Sequence, residues 1–389
     1  LRRIDGHAAW VNSKVLSICG IDEKTKDPKG GKIIRDENGF PTGIFIDNAI
    51  DLIDEFIPND DTHDKKRYIK KAVKKLNRFG LTSIHDAGTD IETITILKEL
   101  IKENKLSIRV NAMLNNNIND YQNYMDNGPE NFNDYLFVQS VKIYFDGAMG
   151  SRGAYLLEPY SDDPNNIGLT ITGEEQIRKK VKIFNDAGLQ VAIHCIGDKA
   201  NRLVLNIFEE NGYRPLRNRI EHAQIIHSED INRFKELEVI PSMQATHCTS
   251  DMYWIDERLG PDRVHQSYPW QSLLKAGSII PGGSDAPVEI PDPLLGIYAA
   301  TTRKDLDGWP ENGWLSNEKM SIDQAISSIT EWSAYSMFAE SFYGSIEKDY
   351  LADFTVLNKN LSLIDPDDIP EVKVLYTFVD GKVVYQNDK

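Results

Sequence analysis

The amino-acid sequence predicts an α/β fold, a (β/α)₈ TIM-type barrel whose first strand is missing, followed by strands of a small β-sandwich. Two observations lead to this fold class. From residue 63 onward, stretches with helical periodicity that end in glycine alternate with short β-branched stretches, which favours parallel strands. Seven such strands can be counted, one fewer than a barrel of typically about 250 residues has. An open doubly wound sheet is the competing fold.

The predicted elements alternate along most of the chain. Strands are expected over residues 81–86, 108–114, 138–146, 189–196, 219–223, 239–244 and 278–284. Helices are expected over residues 63–79, 91–104, 173–188, 198–211, 228–237 and 322–340. Gly80 and Gly188 end two of these helices, and residues 172–175 and 321–324 have the pattern of capping boxes at helix starts.

Both ends of the chain depart from this alternation. Residues 30–46 predict a β-hairpin, within an inserted segment of about residues 1–60. Strand-like stretches at 351–357 and 372–385, the second with the Asp380-Gly381 hairpin signal, predict β-sandwich strands in a domain at 346–389. The barrel domain is therefore expected at 1–345. Because the chain begins with Leu1 rather than Met, we expect an upstream part that carries the first strand.

Composition and charge exclude several classes of protein. The 389 residues include 44 Lys plus Arg and 60 Asp plus Glu, a net charge of −16, which argues against nucleic-acid binding. No apolar stretch approaches the roughly 20 residues that span a bilayer. Three cysteines without a CxxC spacing indicate a reducing compartment, so we expect a cytoplasmic protein that acts on a small molecule. A homodimer is the commonest default for a soluble oligomer.

Polar residues at strand ends are the candidates for chemistry, because a barrel has its active site at the carboxyl ends of its strands. These residues are Asp86, Lys142, Asp146, His194, His222, His247 and Asp285. Side-chain alternation places Lys142 and Asp146 on the same face of their strand. A buried lysine is costly unless it is neutralised or paired. A structural ion pair of Lys142 with Asp146 or a neighbouring carboxylate and a functional Lys142 are therefore both open.

Lys142, His194, His222 and Asp285 end four of the strands in chain order. Taken singly, His194 could be a satisfied core histidine and Asp285 a turn residue. Taken together, they offer the nitrogen and oxygen ligands of a zinc site. Lys142 could join such a site after carbamylation by CO₂, since burial lowers a lysine pKa and supplies the neutral amine.

Seven stretches along the chain resemble the amidohydrolase superfamily, and more closely amidohydrolase family 3, which includes N-substituted formamide deformylases and metal-dependent hydrolases. They are DGHAAWVNS (5–13), GLTSIHDAG (80–88), VKIYFDGAMGSRGA (141–154), HCIGDKAN (194–201), RIEHAQ (219–224), GGSDAPVE (282–289) and ADFTVLN (352–358). The resemblance implies a (β/α)₈ barrel with a metal centre at its strand ends. It also implies that residues 352–385 belong to a small β-sandwich.

The resemblance also implies roles for single residues. Lys142, His194, His222 and Asp285 match the family's metal-binding residues, which hold one or two divalent ions such as zinc, and Asp285 matches the aspartate that shuttles the proton. The family carries a His-x-His pair on its first strand, and none of the eight histidines here forms one. We therefore expect an N-terminally truncated chain whose His-x-His pair lay upstream of Leu1.

The function implied is a metal-dependent amidohydrolase that cleaves a non-peptide carbon–nitrogen bond, in an amide, formamide or cyclic amide, with a metal-activated water. Asp285 would carry the proton to the leaving nitrogen, and His222 or His247 would hold the developing oxyanion. Arg152 could face the substrate, with a structural ion pair as the equal alternative.

Two other hypotheses stay open. A catalytically incompetent barrel of the same family could act as a binding or regulatory protein. An open-sheet enzyme could instead use Cys195 or Cys248, although a strand places Cys195 and His194 on opposite faces and so directs Cys195 toward the helices.

Overall fold

The structure is a computed structural model that describes residues 1–58 and 61–387. The predicted segments 1–60 and 346–389 end with residues 59–60 and 388–389, which lie outside the described residues. The chain forms two small antiparallel sheets and, between them, a curled parallel sheet. None of the helices described is both long enough and apolar enough to cross a membrane.

The first antiparallel sheet confirms the hairpin predicted at residues 30–46. Its strands are β1 (Ala8–Trp10), β2 (Gly31–Arg35) and β3 (Pro41–Asp47), in the order β1-β3-β2. The carboxylate of Asp36 closes the hairpin turn by accepting the backbone N–H groups of Asn38 and Phe40 at 2.9 and 2.8 Å. Two helices, α1 (Ser13–Cys19) and α2 (Asp51–Asp54), complete this region, which has an apolar core of its own. We call residues 1–58 the N-terminal sheet region.

The curled sheet has seven parallel strands and one short antiparallel strand. They are β4 (Ser83–Thr89), β5 (Arg109–Leu114), β6 (Glu130–Phe132), β7 (Leu136–Tyr144), β8 (Gln190–Cys195), β9 (Arg219–His222), β10 (Ile240–Gln244) and β11 (Gly282–Gly283). The parallel order is β4-β5-β7-β8-β9-β10-β11, and β6 pairs antiparallel with β7. Because successive parallel strands are neighbours in the sheet, the α/β barrel-type fold is confirmed, with β4 and β11 at the two ends of the curl.

Helices follow most of these strands and pack on the sheet around one large apolar core. They are α3 (Thr62–Arg78), α4 (Ile91–Lys102), α5 (Ile118–Asn127), α6 (Glu174–Asp186), α7 (Asp198–Asn211), α8 (Ile231–Glu236), α9 (Ala245–Asp251), α10 (Ile255–Leu259), α11 (Trp270–Lys275), α12 (Pro293–Thr302), α13 (Ile322–Ile329) and α14 (Glu331–Ser336). Aspartates cap the starts of three of them. Asp61, Asp90 and Asp292 accept backbone N–H groups of α3, α4 and α12 at 2.8, 2.6 and 3.0 Å.

Three predicted boundaries differ from the structure. Only two residues of the predicted strand 278–284 pair with β10, because Pro281 has no N–H with which to extend the ladder. The predicted helix 322–340 is broken at Thr330, whose backbone is not helical, into α13 and α14. The capping box predicted at 172–175 is wrong, because the helix starts after Gly173, which has no side chain and only donates its N–H to the Gln176 side chain. The box of Ser321 is confirmed.

The second antiparallel sheet confirms the strands predicted near the end of the chain. It consists of β12 (Phe354–Leu357), β13 (Val374–Val379) and β14 (Lys382–Gln386), with the predicted turn at Asp380-Gly381. A buried ion pair joins Asp353 to Arg109 of β5 through two hydrogen bonds of 2.8 Å. This sheet is therefore anchored to the parallel sheet by charge-assisted contacts.

Candidate metal centre

A cavity of about 490 Å³ lies at the carboxyl ends of the parallel strands. The four residues predicted to bind metal border it: Lys142, His194, His222 and Asp285. The first three lie on β7, β8 and β9, and Asp285 follows β11. The parallel strand order therefore brings residues that are up to 143 positions apart (285 − 142) to one cavity.

Lys142 is a buried cation without a close partner. Its Nζ atom lies 4.7 Å from the centre of the Tyr144 ring, and it makes no hydrogen bond or ion pair with a described residue. The alternation predicted for β7 is seen, since Val141 and Ile143 are fully buried on the other face. The positive charge acts at longer range, where it contributes to lowering the pKa of His194 and His222.

The structural alternative of a Lys142–Asp146 ion pair is wrong. The Asp146 carboxylate instead accepts backbone N–H groups of Tyr155, Ile196 and Gly197 at 2.9–3.0 Å. Burial raises the pKa of this carboxyl to about 7, although these three bonds favour the charged form. Asp146 therefore ties the loop after β7 to the end of β8.

His194 is deeply buried at the cavity border. Its Nε2 atom has no hydrogen-bond partner among the described residues and lies 3.6 Å from the nearest Asp146 oxygen, beyond hydrogen-bond distance. Burial, together with the neighbouring positive groups, holds the pKa of His194 well below its usual value. The imidazole is therefore neutral, as a metal ligand must be.

His222 is turned into the cavity by its backbone. Strand alternation would point His222 the same way as the fully buried Ile220, but His222 has a φ of 72°, in the left-handed region. Its Nδ1 atom bonds the Gln244 side-chain oxygen at 2.8 Å, which leaves Nε2 free. Burial lowers the pKa of His222 to about 4. In a metal-binding histidine, one ring nitrogen usually hydrogen-bonds an oxygen atom while the other binds the metal.

Asp285 and His247 complete a cluster with His222. One ligand atom of each lies within 4.8 Å of the others. Asp285 also has a left-handed backbone, with a φ of 54°. His247, on α9, is stacked on His222 with the ring centres 6.0 Å apart, and its Nε2 atom is buried without a partner in the described part of the chain.

The residues present fit a divalent metal ion. Buried polar atoms are normally paired, yet two imidazole nitrogens, of His194 and His247, lack protein partners within residues 1–58 and 61–387. A carboxylate and a third imidazole lie beside them. Imidazole nitrogens with a carboxylate oxygen are the donor set that zinc and similar ions prefer.

Three predicted candidates, Arg152, Cys195 and Cys248, do not border this cavity. Arg152 forms a bidentate ion pair with Asp162 at 3.1 and 2.7 Å, and it is not among the residues that border the cavity. Cys195 and Cys248 are fully buried. Burial raises the pKa of Cys195 well above its usual value and that of Cys248 to about 12, so neither offers a thiolate at neutral pH.

The sequence reasoning missed His7 and Gln244. His7 borders the cavity, and the centre of its ring is 5.1 Å from that of His194. Burial lowers the pKa of His7, but the hydrogen bond and the charge of Asp47 raise it, so that the pKa lies above its usual value. The only signal was the stretch Asp5-Gly6-His7 within a family-like motif. Gln244 could have been noticed as the last residue of a strand.

Known proteins resemble the chain along nearly its whole length. A model of the amidohydrolase family matches residues 1–385. YtcJ of Bacillus subtilis (strain 168), whose name places it among amidohydrolases, is 34% identical over 396 residues, which cover 99% of this chain and 74% of YtcJ. The N-substituted formamide deformylase of Arthrobacter pascens is 24% identical over 404 residues, which cover 98% of this chain and 72% of the deformylase.

A solved structure agrees with these relatives. The crystal structure of an uncharacterized metal-dependent hydrolase from Pyrococcus horikoshii OT3 superposes with a TM-score of 0.77 at 30% identity, covering 93% of this chain and 71% of that one. The family resemblance inferred from the seven motifs is thereby confirmed. With a family model matched over residues 1–385 and metal-binding residue types around one cavity, the chain belongs to the amidohydrolase family.

Proposed function

We propose that the chain is a metal-dependent hydrolase of a non-peptide carbon–nitrogen bond in a small molecule: an amide, a formamide or a cyclic amide. The observation that carries the proposal is the cavity where Lys142, His194, His222 and Asp285 meet, with imidazole nitrogens that lack protein partners. The name of the Arthrobacter relative supports formamides as the first substrates to try.

Lys142, His194, His222 and Asp285 would hold one or two divalent ions, zinc by the chemistry of the donor set. A bound divalent ion supplies a Lewis acid that lowers the pKa of water and polarises a carbonyl. The lowered pKa values of both histidines keep the imidazoles neutral at neutral pH, so that one nitrogen of each ring has a lone pair for a metal ion. Gln244 orients His222 by holding its Nδ1 atom.

Lys142 would contribute after reaction of its amine with CO₂. A buried ammonium without a close counter-ion is costly, and carbamylation would replace it with a carboxylate that can ligate metal. The lack of a close anionic partner for Lys142 in the described residues supports this proposal.

Asp285 would act as the proton carrier. Its carboxylate lies on the solvent-exposed side of the cluster and close to His222 and His247. It can take a proton from the attacking water and return it to the leaving nitrogen. Of the two histidines expected to stabilise the oxyanion, His222 and His247, the geometry favours His247. The Nδ1 atom of His222 is held by Gln244 and its Nε2 atom would bind the metal, whereas the Nε2 atom of His247 has no partner among the described residues.

The three cysteines are free, which supports a reducing, cytoplasmic location. A small-molecule substrate fits the size of the cavity, about 490 Å³. A homodimer is proposed only as the default for a soluble oligomer.

The test is hydrolysis of N-substituted formamides, simple amides and cyclic imides by the zinc-loaded chain, with dipeptides as the comparison. We expect activity on the first group, and a loss on the order of 1,000-fold or more in Asp285→Asn with the circular dichroism spectrum unchanged. Asp307→Asn, in an exposed loop, is the matched control and should keep wild-type activity. Wild-type activity in Asp285→Asn, or cleavage of dipeptides alone, would contradict the proposal.

A further inference from the structure

His7 and Asp47 form a pair at the cavity that the metal centre does not use. Strands β1 and β3 pair antiparallel with Ala8 opposite Ile46, so the next residues outward, His7 and Asp47, face each other. The His7 Nδ1 atom lies 2.6 Å from the Asp47 Oδ1 atom. The pair therefore results from the pairing of strands 40 residues apart and not from a local turn.

The backbone around His7 is held from both sides. The Asp5 carboxylate accepts the N–H of His7 at 3.1 Å, and Gly6 takes the left-handed conformation with a φ of 77°. The His7 carbonyl accepts the N–H of Asp47 at 3.1 Å. The Asp-Gly-His stretch thus directs the imidazole out of the N-terminal sheet region.

The Asp47 carboxylate has a site shaped for it. Its side chain is completely buried, and a Cβ atom at Gly147 or Gly153 would lie only 2.5 or 2.8 Å from its Oδ2 atom. Glycine at these two positions makes room for the carboxylate against the loop after β7. Asp47 itself has a strained backbone, with a φ of 49°. Such an arrangement is expected where a side chain must be placed accurately.

The second nitrogen of His7 is available to a ligand. With Nδ1 bonded to Asp47, the Nε2 atom has no partner among the described residues, and the ring borders the cavity. The His7 ring lies 5.1 Å from that of His194. His7 is not part of the described group of His222, His247 and Asp285, whose ligand atoms lie within 4.8 Å of one another. Its position is therefore beside the metal-binding cluster and not at its centre.

We propose that His7 is a catalytic residue whose Nε2 atom hydrogen-bonds the amide group being cleaved, and that Asp47 is the positioning residue for it. The inference rests on the proposed function and extends it. The N-terminal sheet region thereby contributes a side chain to the site in addition to forming its border. The buried carboxylate fixes the tautomer and orientation of the ring.

The experiment compares His7→Ala, His7→Gln and Asp47→Asn with the wild-type chain, all loaded with zinc. The control is His265→Gln, since His265 is exposed and does not border the cavity. We expect kcat/KM on an N-substituted formamide to fall on the order of 100-fold in His7→Ala and about tenfold in Asp47→Asn. His7→Gln, which keeps a polar atom near the Nε2 position, should recover part of the loss. Zinc content should stay at the wild-type value in every variant. The melting temperature should fall in His7→Ala, because the buried Asp47 carboxylate loses its partner, so every variant is assayed well below its own melting temperature.

A second readout separates this inference from the proposed function. If the wild-type chain cleaves no amide, the proposed function fails, and calorimetric binding of acetohydroxamate to the zinc-loaded chain becomes the measurement. His7→Ala should then bind this acyl mimic about tenfold more weakly than His265→Gln does. Equal rates and equal affinities in the two variants would overturn the inference. Loss of zinc in His7→Ala would also overturn it, because His7 would then be a metal ligand.

Discussion

Two buried cations on the curled sheet, Arg219 of β9 and Lys142 of β7, have opposite surroundings. The Arg219 guanidinium pairs with Glu221 at 2.7 Å and also donates to Ser242 at 2.8 Å and to His85 at 2.9 Å. Lys142 has no such partner in the described structure. Both residues are nearly inaccessible to solvent. The difference indicates a structural role for Arg219, whose charge is paired within the fold. Lys142, without a close partner, is the candidate for a role in the reaction.

The largest effect is expected where the partnered charge is removed. Arg219→Met leaves the Glu221 carboxylate buried and unpaired, so the free energy of unfolding should fall by about 3–5 kcal/mol. Urea unfolding followed by circular dichroism measures it. Arg214→Met, in a mostly exposed turn, is the control. If the free energy of unfolding fell by less than about 1 kcal/mol, Arg219 would contribute as little to stability as Lys142, and the contrast between the two residues would fail.

A smaller effect, on zinc affinity, is expected at Gln244, which holds His222 in place. Gln244→Leu removes the acceptor for the His222 Nδ1 atom, so zinc affinity should fall about 10- to 100-fold. Competition with a chromophoric chelator measures the affinity. Gln271→Leu, on α11, supplies the matched control for the loss of an amide. Unchanged zinc affinity in Gln244→Leu would argue against His222 as a metal ligand.

A still smaller effect on stability is expected at Lys142 itself. In the metal-free chain, Lys142→Met removes a buried cation without a close partner, so the free energy of unfolding should rise, or fall by less than about 1 kcal/mol. Zinc binding should be lost in the same variant. If Lys142→Met were destabilised as strongly as Arg219→Met, Lys142 would have a structural role and the comparison would fail.

The smallest effect is expected from thiol reagents. Cys195 and Cys248 are fully buried with raised pKa values, so both stay protonated as the pH rises from 7 to 9. Iodoacetamide should label Cys19 alone, with hydrolysis unchanged, as read by mass spectrometry and the formamide assay. Labelling of Cys195 that abolishes activity would support the alternative of a cysteine enzyme.

Local sequence patterns predicted much of the parallel sheet and of its site. The alternation in β7 indicated that Lys142 faces away from the helices, and the capping motif at Ser321 located the start of α13. His194 and Asp285 were found because a glycine or proline follows each apolar stretch closely. These features depend on neighbours in the chain and are therefore visible in it.

Features that depend on distant pairing were not predicted. His7 contacts Asp47 only because β1 and β3 form one antiparallel ladder, and Asp47 fits only because Gly147 and Gly153 lie against it. His222 points into the cavity because its φ is positive. A glycine, the usual sequence signal for a positive φ, is absent at this position. The break at Thr330 likewise occurs without a glycine or proline at that position.

We expect the side chains at this cavity to bind metal, and the zinc content of the chain measures this binding without any assumption about the substrate. Wild-type, His194→Gln and His265→Gln chains are incubated with zinc and bicarbonate, dialysed, and analysed for zinc per chain. We predict about one zinc or more in the wild type and in the exposed control His265→Gln, and a loss of most of it in His194→Gln. Equal zinc in all three folded chains, or none in the wild type, would contradict the account.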